Sequence, residues 1–375
     1  MSDTVHKLTM PKWGLTMQEG TVVEWLVAEG ATVSVGDEVL EIETEKVNNV
    51  FESPVAGTLR RHVAEVGSAI PVGALMGIVA NADVDDADID VLVAEFVQTF
   101  VPEADDDEAR PEIVTVNGRT ISYLSVGDKT SDATPLVLVH GFTGDVTSWL
   151  FNQPALAADR RVIALDLPGH GASDKFVDDG GIEYLSGAVT GFIDELGLSE
   201  VHIAGHSLGG AVAARVAISN PERVATLTLI APAGVGSYIN GEIISALAMA
   251  DRRRDTRQTL QRLVSNPDLI SRDMVEQFLR LKRTDGAAAA VARIASAFVE
   301  GHRQRIDVVE NLANYAKPVL AIWGADDVVI PAKPAGTLPE NIECHVIDEV
   351  GHLPHMEAAA KVNELIAGFL KIRSG

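Results

Sequence analysis

The short stretch GHSLGG at residues 205–210 restricts the fold of the C-terminal half more than any other part of the chain. It follows the apolar run VHIA and precedes AVAARVAIS, which predicts a strand, a tight turn and a helix in that order. Glycines on both sides of Ser207 leave room for a strained turn that lifts the hydroxyl clear of the backbone. Ser207 is therefore a candidate nucleophile.

Other apolar runs after residue 112 end in glycine or aspartate and alternate with segments of helical periodicity. They are PLVLVHGF, RVIALDLPGHG, VATLTLIAPAG, PVLAIWGADD and ECHVIDEVGH. Continuous apolar strands of this kind are typical of a mostly parallel sheet that helices cover on both faces.

Further positions in this half supply what a serine nucleophile needs. Asp327 follows the strand PVLAIWG and His352 follows the strand that ends at Gly351, so an acid and a base come after the serine in chain order. Phe142, at the end of an earlier strand, can offer a backbone N–H that forms an oxyanion hole with the N–H of Leu208.

The order serine, aspartate, histidine resembles the α/β-hydrolase family from residue 112 to 375. The resemblance implies an α/β-hydrolase fold and a catalytic triad of these three residues, and the family's spacing selects Asp327 over its neighbour Asp326 as the acid. We expect the stretch DLPGHGASD, which begins at Asp166, to shape a turn. His206 and His355 are expected to support or pack the site and not to react.

The stretch between the serine and the aspartate is 120 positions long, more than one strand and one helix need. An insertion from about 234 to 316, helix-rich in AAAAVARIASAFV and VEQFLRLK, is expected to form a helical cap over the site. Residues 251–283 within it carry nine basic and five acidic side chains. Two interpretations stay open: a solvated helical face, or a site where Arg252, Arg253 and Arg254 bind the phosphates of a cofactor.

The first eighty residues contain an internal repeat at an offset of 37 positions, in which Gly20 corresponds to Gly57 and Gly30 to Gly67. Alternating segments such as TVVEWLV and EVLEIET predict half-buried strands, and two similar sets of about four strands predict a quasi-twofold sandwich. The segment ETEKVN lies between the halves, so Lys46 is predicted at an exposed hairpin tip.

Residues 4–79 resemble lipoyl domains from MPKWGL to beyond ESPVAGTL. The resemblance implies an all-β sandwich of the biotinyl/lipoyl type with lipoate attached covalently to Lys46. The alternative is a biotinyl domain, but that family carries Met on both sides of the modified lysine, whereas Glu45 and Val47 flank Lys46. The first domain would then be a carrier.

The formal charge of −24 is densest between the two halves, because residues 81–110 carry eleven acidic side chains and one basic side chain. We predict that residues 80–111 form a flexible acidic linker, since like charges repel and keep a chain extended. The apolar insert VLVAEFVQTF predicts a short helix, which either covers a neighbouring domain or binds a partner.

The whole chain resembles the dihydrolipoyllysine acetyltransferases of acetoin dehydrogenase complexes, in which a lipoyl domain precedes an α/β-hydrolase-like domain. The resemblance implies acetyl transfer from the lipoyl arm to coenzyme A, with a thiamine-dependent dehydrogenase and a dihydrolipoamide dehydrogenase as partners. The H-x-x-x-D-G of other acyltransferases does not occur at any of the ten histidines. Two alternatives stay open: a thioesterase or esterase tethered to a lipoyl domain, and a carrier or scaffold with a non-catalytic hydrolase fold.

Composition argues against several other classes. The acidic charge opposes binding to nucleic acid or anionic membranes, because each phosphate contact needs a local cation. The single cysteine, Cys344, excludes an internal disulfide framework and a Cys-based zinc cluster, and we expect no metal site. No leader and no membrane-spanning apolar stretch is evident, which predicts a cytoplasmic protein, and we expect it to form a homo-oligomer.

Overall fold

The computed structural model describes residues 5–11, 19–43, 48–81, 83–100, 110–308, 312–333, 336 and 338–373. The chain divides into two compact units, 1–110 and 111–375. Among the described residues, no helix is long and apolar enough to cross a membrane. The same residues contain no group of three or more side chains placed to hold a metal ion.

The first unit is built from two four-stranded antiparallel sheets whose apolar side chains share one core. Its strands are β1 (Val5–Thr9), β2 (Glu19–Trp25), β3 (Thr32–Val33), β4 (Glu38–Glu43), β5 (Asn48–Glu52), β6 (Gly57–His62), β7 (Ala69–Pro71) and β8 (Leu75–Ala80). The sheets have the orders β1-β8-β6-β3 and β5-β4-β2-β7. The predicted quasi-twofold sandwich is confirmed.

The repeated glycines of this unit have the same steric role in both halves. A Cβ at Gly20 of β2 would lie 2.7 Å from Cγ2 of Ile42 in β4, and a Cβ at Gly57 of β6 would lie 2.7 Å from Cγ1 of Val79 in β8. Each glycine therefore allows a β-branched side chain of the neighbouring strand to pack against the backbone.

Helix α1 (Asp86–Thr99) contains the short helix that the apolar insert predicts, and it begins within the acidic residues before that insert. Residues 101–109 of the predicted linker lie outside the described residues, so their flexibility stays a prediction. Ile89 of α1 is buried in a cluster with Leu75 and Ile78 of β8. The helix thus belongs to the first unit, and of the two interpretations of the apolar insert the structure shows the cover of a neighbouring sheet.

Arginines of β6 neutralise part of the acidic run in α1. Arg60 Nη2 lies 2.7 Å from Asp86 Oδ1, and Arg61 Nε lies 2.9 Å from Asp90 Oδ1. These contacts lower the pKa of the Asp86 carboxyl, chiefly through the hydrogen bond from Arg60. Asp86 and Asp90 are therefore paired with cations and do not simply repel their acidic neighbours.

The second unit is organised around an eight-stranded sheet of order β18-β17-β14-β13-β11-β12-β10-β9. Its strands are β9 (Glu112–Val116), β10 (Arg119–Val126), β11 (Leu136–Val139), β12 (Val162–Leu165), β13 (Val201–His206), β14 (Val224–Ile230), β17 (Val319–Gly324) and β18 (Ile342–Ile347). The six strands from β11 onward run parallel, as predicted, whereas β9 and β10 add an antiparallel edge that the sequence analysis missed.

Helices connect these strands and form an insertion between β14 and β17. The helices outside the insertion are α2 (Gln153–Leu156), α3 (Ile182–Glu195), α4 (Leu208–Ser219), α9 (Pro354–Glu357) and α10 (Ala359–Arg373). The insertion contains α5 (Gly241–Met249), α6 (Arg253–Gln261), α7 (Arg272–Lys282), α8 (Ala287–Phe298) and the hairpin of β15 (Val299–Glu300) and β16 (Arg303–Gln304). We call this insertion the cap, and it is helical as predicted.

Candidate active site

Ser207 lies at the junction between β13 and α4. Its φ of 52° and ψ of −118° are values that a residue with a side chain rarely adopts. Its N–H donates to the carbonyl of Ile230 over 2.9 Å, which holds the turn against the end of β14. The local pattern strand, turn, helix is the one that GHSLGG predicts.

Glycines around the serine permit backbone contacts that any side chain would prevent. A Cβ at Gly205 would lie 2.1 Å from the carbonyl oxygen of Gly209. A Cβ at Gly209 would lie 2.3 Å from the carbonyl oxygen of His140, at the end of β11. The strained turn is therefore possible only with glycine at these positions.

His352, in the loop after β18, lies within hydrogen-bond distance of the serine. Its Nε2 is 3.0 Å from Ser207 Oγ, and its Nδ1 is 2.8 Å from Asp327 Oδ2. Because a carboxylate only accepts hydrogen bonds, Nδ1 carries the proton and the lone pair of Nε2 faces the serine hydroxyl. The structure thus brings together the three side chains that the sequence predicts as nucleophile, base and acid.

Asp327, and not its neighbour Asp326, faces the histidine. The second oxygen of the Asp327 carboxylate accepts hydrogen bonds from the N–H groups of Val329 at 2.8 Å and Ile330 at 2.9 Å. These bonds orient the carboxylate and satisfy its buried charge. The Asp326 carboxylate instead accepts a hydrogen bond from the hydroxyl of Ser265 over 3.1 Å.

The two predicted oxyanion donors occupy suitable places in the chain. Phe142 follows β11, and Leu208 is the first residue of α4, where a helix presents unpaired N–H groups and a positive dipole end. Within the described part of the chain, neither backbone N–H donates to a protein acceptor. Their role as an oxyanion hole stays a prediction.

The two other histidines near the serine are buried and neutral. Burial and the neighbouring His355 lower the pKa of His206 well below its ordinary value. Burial and the neighbouring His352 lower the pKa of His355 to about 3. The ring centroids of His206 and His355 are 4.4 Å apart, so these side chains pack behind the site.

Asp166 has the structural role expected of it. Its two carboxylate oxygens accept hydrogen bonds from the N–H groups of Val146 and Ala172, each over 2.8 Å. The carboxylate lies so close to Gly171 that a Cβ there would be 2.1 Å from it.

The structure places Arg252, Arg253 and Arg254 at the exposed start of α6. Arg252 is 80% exposed, and Arg253 forms an ion pair with Glu276 of α7. Neither of the ion pairs formed by Arg252 and Arg253 involves Ser207, His352 or Asp327. A phosphate-binding role for the three arginines stays a prediction.

A pocket between the cap and the loop after β12 contains two lysines that the sequence analysis missed. Its lining includes Thr143, His170, Lys175, Phe278 and Lys282. Each ammonium donates to three backbone carbonyls, and burial lowers the pKa of both lysines. No sequence signal distinguishes such lysines from surface lysines, because their carbonyl partners belong to loop and helix ends.

Lys46 lies outside the described residues, in the four-residue connection between β4 and β5. These strands form an antiparallel pair in which Glu43 is opposite Asn48. The predicted attachment of lipoate at Lys46 stays a prediction.

Comparison with protein families divides the chain in the same way. The model described as the alpha/beta hydrolase fold matches residues 134–359, and the model described as biotin-requiring enzyme matches residues 6–79. Among solved structures, a meta-cleavage product hydrolase from Pseudomonas fluorescens has a TM-score of 0.62 at 23% identity, covering 69% of this chain and 97% of its own. At that identity the likeness shows the fold alone.

Curated relatives match a larger part of the chain. The dihydrolipoyllysine-residue acetyltransferase component of the acetoin cleaving system of Pseudomonas putida is 44% identical, covering 98% of this chain and 99% of the relative. The corresponding protein of Cupriavidus necator is 39% identical over 98% of this chain and 97% of the relative. A 2-hydroxy-6-oxononadienedioate/2-hydroxy-6-oxononatrienedioate hydrolase of Cupriavidus pinatubonensis is 29% identical over 68% of this chain and 94% of its own. The chain therefore belongs to the family of dihydrolipoyllysine-residue acetyltransferase components of acetoin cleaving systems.

Proposed function

We propose that this acyltransferase moves an acetyl group from a lipoyl arm on Lys46 to coenzyme A through a covalent intermediate on Ser207. The observation that carries the proposal is the contact of Ser207 Oγ with His352 Nε2 at 3.0 Å. It occurs in a chain that also contains a lipoyl-type unit. Lipoate supplies a dithiol that holds the acyl group as a thioester.

In the first half of the reaction, Ser207 Oγ attacks the thioester carbonyl while His352 Nε2 accepts the hydroxyl proton. The N–H groups of Phe142 and Leu208 stabilise the oxyanion, and Asp327 stabilises the imidazolium. Collapse breaks the carbon–sulfur bond, and His352 returns the proton to the leaving thiolate. Ser207 is then an acetyl ester.

In the second half, the thiol of coenzyme A gives its proton to His352 Nε2 and attacks the acetyl ester. The carbon–oxygen bond breaks, and His352 returns the proton to Ser207 Oγ, so the site is restored. Water must be excluded during this interval, because it would attack the same ester. The helical cap is suited to that exclusion.

Coenzyme A carries phosphates, for which the basic start of α6 offers Arg252, Arg253 and Arg254. If these residues bind coenzyme A, their combined replacement by Gln should raise the KM for coenzyme A. The kcat at saturating coenzyme A should stay within about twofold of the unchanged chain's value. An unchanged KM would assign the stretch to a solvated helical face.

Hydrolysis is the second candidate, since the relative from Cupriavidus pinatubonensis is named a hydrolase and matches 68% of this chain. The same serine ester would then react with water, releasing acetate. Whether water or a thiol is the acceptor depends on the shape and dryness of the site under the cap.

As a component of a multienzyme system, the chain needs enzymes that load and reoxidise the arm. We propose a thiamine-dependent dehydrogenase and a dihydrolipoamide dehydrogenase for these steps, and a homo-oligomer as the assembly.

The direct test incubates the full chain with acetyl coenzyme A and free dihydrolipoamide and measures the thioester product. Ser207→Ala is expected to lower kcat by about a thousandfold or more. The control is Ser219→Ala, which changes an exposed serine at the other end of α4. Transfer that continues unchanged in Ser207→Ala would overturn the covalent scheme.

Product analysis separates the alternatives. Acetate released at the same rate with and without the acceptor thiol indicates a hydrolase. Failure of a serine-directed phosphonate to label Ser207 indicates a scaffold. For the carrier unit, intact mass after expression with lipoate should show a lipoyl increment that Lys46→Arg abolishes.

A further inference from the structure

The loop of the cap between α6 and α7 lies directly on the loop that carries His352. The backbone N–H of His352 donates to the carbonyl of Leu263 over 2.7 Å. A Cβ at Gly351 would lie 2.7 Å from that same carbonyl oxygen and 3.0 Å from the backbone nitrogen of Ser265. The two segments therefore meet backbone to backbone, which requires a glycine immediately before the histidine.

The carboxylate of Glu357, the last residue of α9, joins these two loops. Its Oε1 accepts hydrogen bonds from the N–H groups of Gly351 at 2.9 Å and Leu353 at 3.2 Å, the residues on either side of His352. Its Oε2 accepts a hydrogen bond from the N–H of Ser265 in the cap over 2.7 Å. One carboxylate thus holds both flanks of the histidine and one residue of the cap.

The same cap loop also contacts the neighbour of the acid. The hydroxyl of Ser265 donates to Asp326, whose neighbour Asp327 orients the His352 ring. The loop that carries His352 (the base loop) and the loop that carries Asp326 and Asp327 therefore both form hydrogen bonds with one segment of the cap.

We propose that Glu357 is a positioning residue, which fixes the main chain around His352 and makes that position depend on the seating of the cap loop at Leu263–Ser265. The inference rests on the proposed role of His352 as the base. Hydrogen bonds to a carboxylate are strong, and a displacement of a reacting group by about 1 Å costs roughly a hundredfold in rate. A local helix cap would need only the bond to Leu353; the bonds to Gly351 and Ser265 extend beyond the helix.

The first test replaces the carboxylate by an amide of the same shape. In Glu357→Gln one oxygen still accepts from Gly351 and Leu353, but the amide nitrogen faces the N–H of Ser265, so two donors meet. We expect kcat for acetyl transfer to fall about tenfold with KM within about twofold, and Glu357→Ala to lose about a hundredfold. The matched control, Glu364→Gln, removes an exposed carboxylate of α10 that pairs with Lys361.

Two further measurements separate positioning from a purely structural role. The rate of phosphonate labelling at Ser207 should fall in Glu357→Gln as kcat does. The downfield proton resonance of His352 Nδ1, which reports on its bond to Asp327, should shift or broaden. A variant that unfolds at lower temperature but labels at the wild-type rate with an unchanged resonance would overturn the inference. If wild-type Ser207 fails to label, the proposed function fails, and the resonance alone still decides whether Glu357 positions His352.

Discussion

The Nε2–H of His206 donates to the backbone carbonyl of His352 over 2.8 Å, so the residue before the nucleophile also holds the residue that activates it. On its other side, the His206 ring lies close enough to Gly141 that a Cβ there would be 2.6 Å from Nδ1. The serine turn, the base loop and the strand end before Phe142 thus meet around one buried, neutral imidazole.

The orientation of the base by Asp327 leads to a first prediction. Asp327→Asn replaces an acceptor of the Nδ1 proton by a group that can donate, which favours the wrong tautomer of His352. We expect kcat for transfer to fall by about a thousandfold or more. Asp326→Asn, which alters only a contact with the cap, should cost about tenfold at most, and equal losses in the two variants would contradict the assignment of the acid.

The packing of the turn at Ser207 leads to a second prediction. Gly209→Ala would place a Cβ 2.3 Å from the carbonyl oxygens of both His140 and Val139, so we expect severe destabilisation or failure to fold. The control is Gly187→Ala in α3, where a Cβ meets nothing within 4 Å and the change should stabilise the helix by up to about 1 kcal/mol. Urea unfolding and soluble yield measure both effects.

The buried histidines lead to a third prediction, on how the free energy of unfolding depends on pH. Because burial lowers the pKa of His355 from 6.5 to about 3, the unfolded chain binds a proton there that the folded chain does not. The free energy of unfolding is therefore fully maintained above pH 6.5 and falls as the pH drops, by up to about 1.4 kcal/mol per pH unit for this group.

His355→Gln should make that fall shallower, because it removes one proton from the difference between the two states. Urea unfolding at about pH 7 and about pH 5 measures the slope. His302→Gln, at an exposed histidine, is the control, and an equal slope in wild type and His355→Gln would refute the linkage.

Helix α1 of the first unit leads to a fourth prediction. Ile89→Ala removes a side chain that is 1% exposed and should destabilise the packing of α1 by roughly 2–5 kcal/mol. Val91→Ala, 58% exposed on the same helix, should change it by about 0.5 kcal/mol at most. Hydrogen exchange in α1 and β8 of the full chain measures the difference. Similar exchange in both variants would contradict the packing of Ile89 against β8.

Much of the architecture could be predicted because its causes are local. The glycine repeat marks strands with a common steric need, at Gly20 and Gly57, and the alternation of apolar runs and helices indicates a parallel sheet. The turn at Ser207 could be predicted for the same reason, since its flanking glycines are adjacent in the chain. The short helix in the apolar insert could be predicted, but its start at Asp86 could not, because the cations that pair with Asp86 and Asp90 lie in β6, far away in sequence.

The amino-acid sequence by itself determined the division into a carrier-like unit and a hydrolase-like unit, the position of the nucleophile and the order of its partners. Only the tertiary structure decided that the N–H groups of Val329 and Ile330 orient the Asp327 carboxylate, and that Glu357 and the cap loop hold the histidine from outside. Side chains of the same type, such as the carboxylates near His352, have equivalent sequence signals. Which one reaches a partner depends on the register of strands and loops that meet across the sheet, and that register arises from packing between segments distant in the chain.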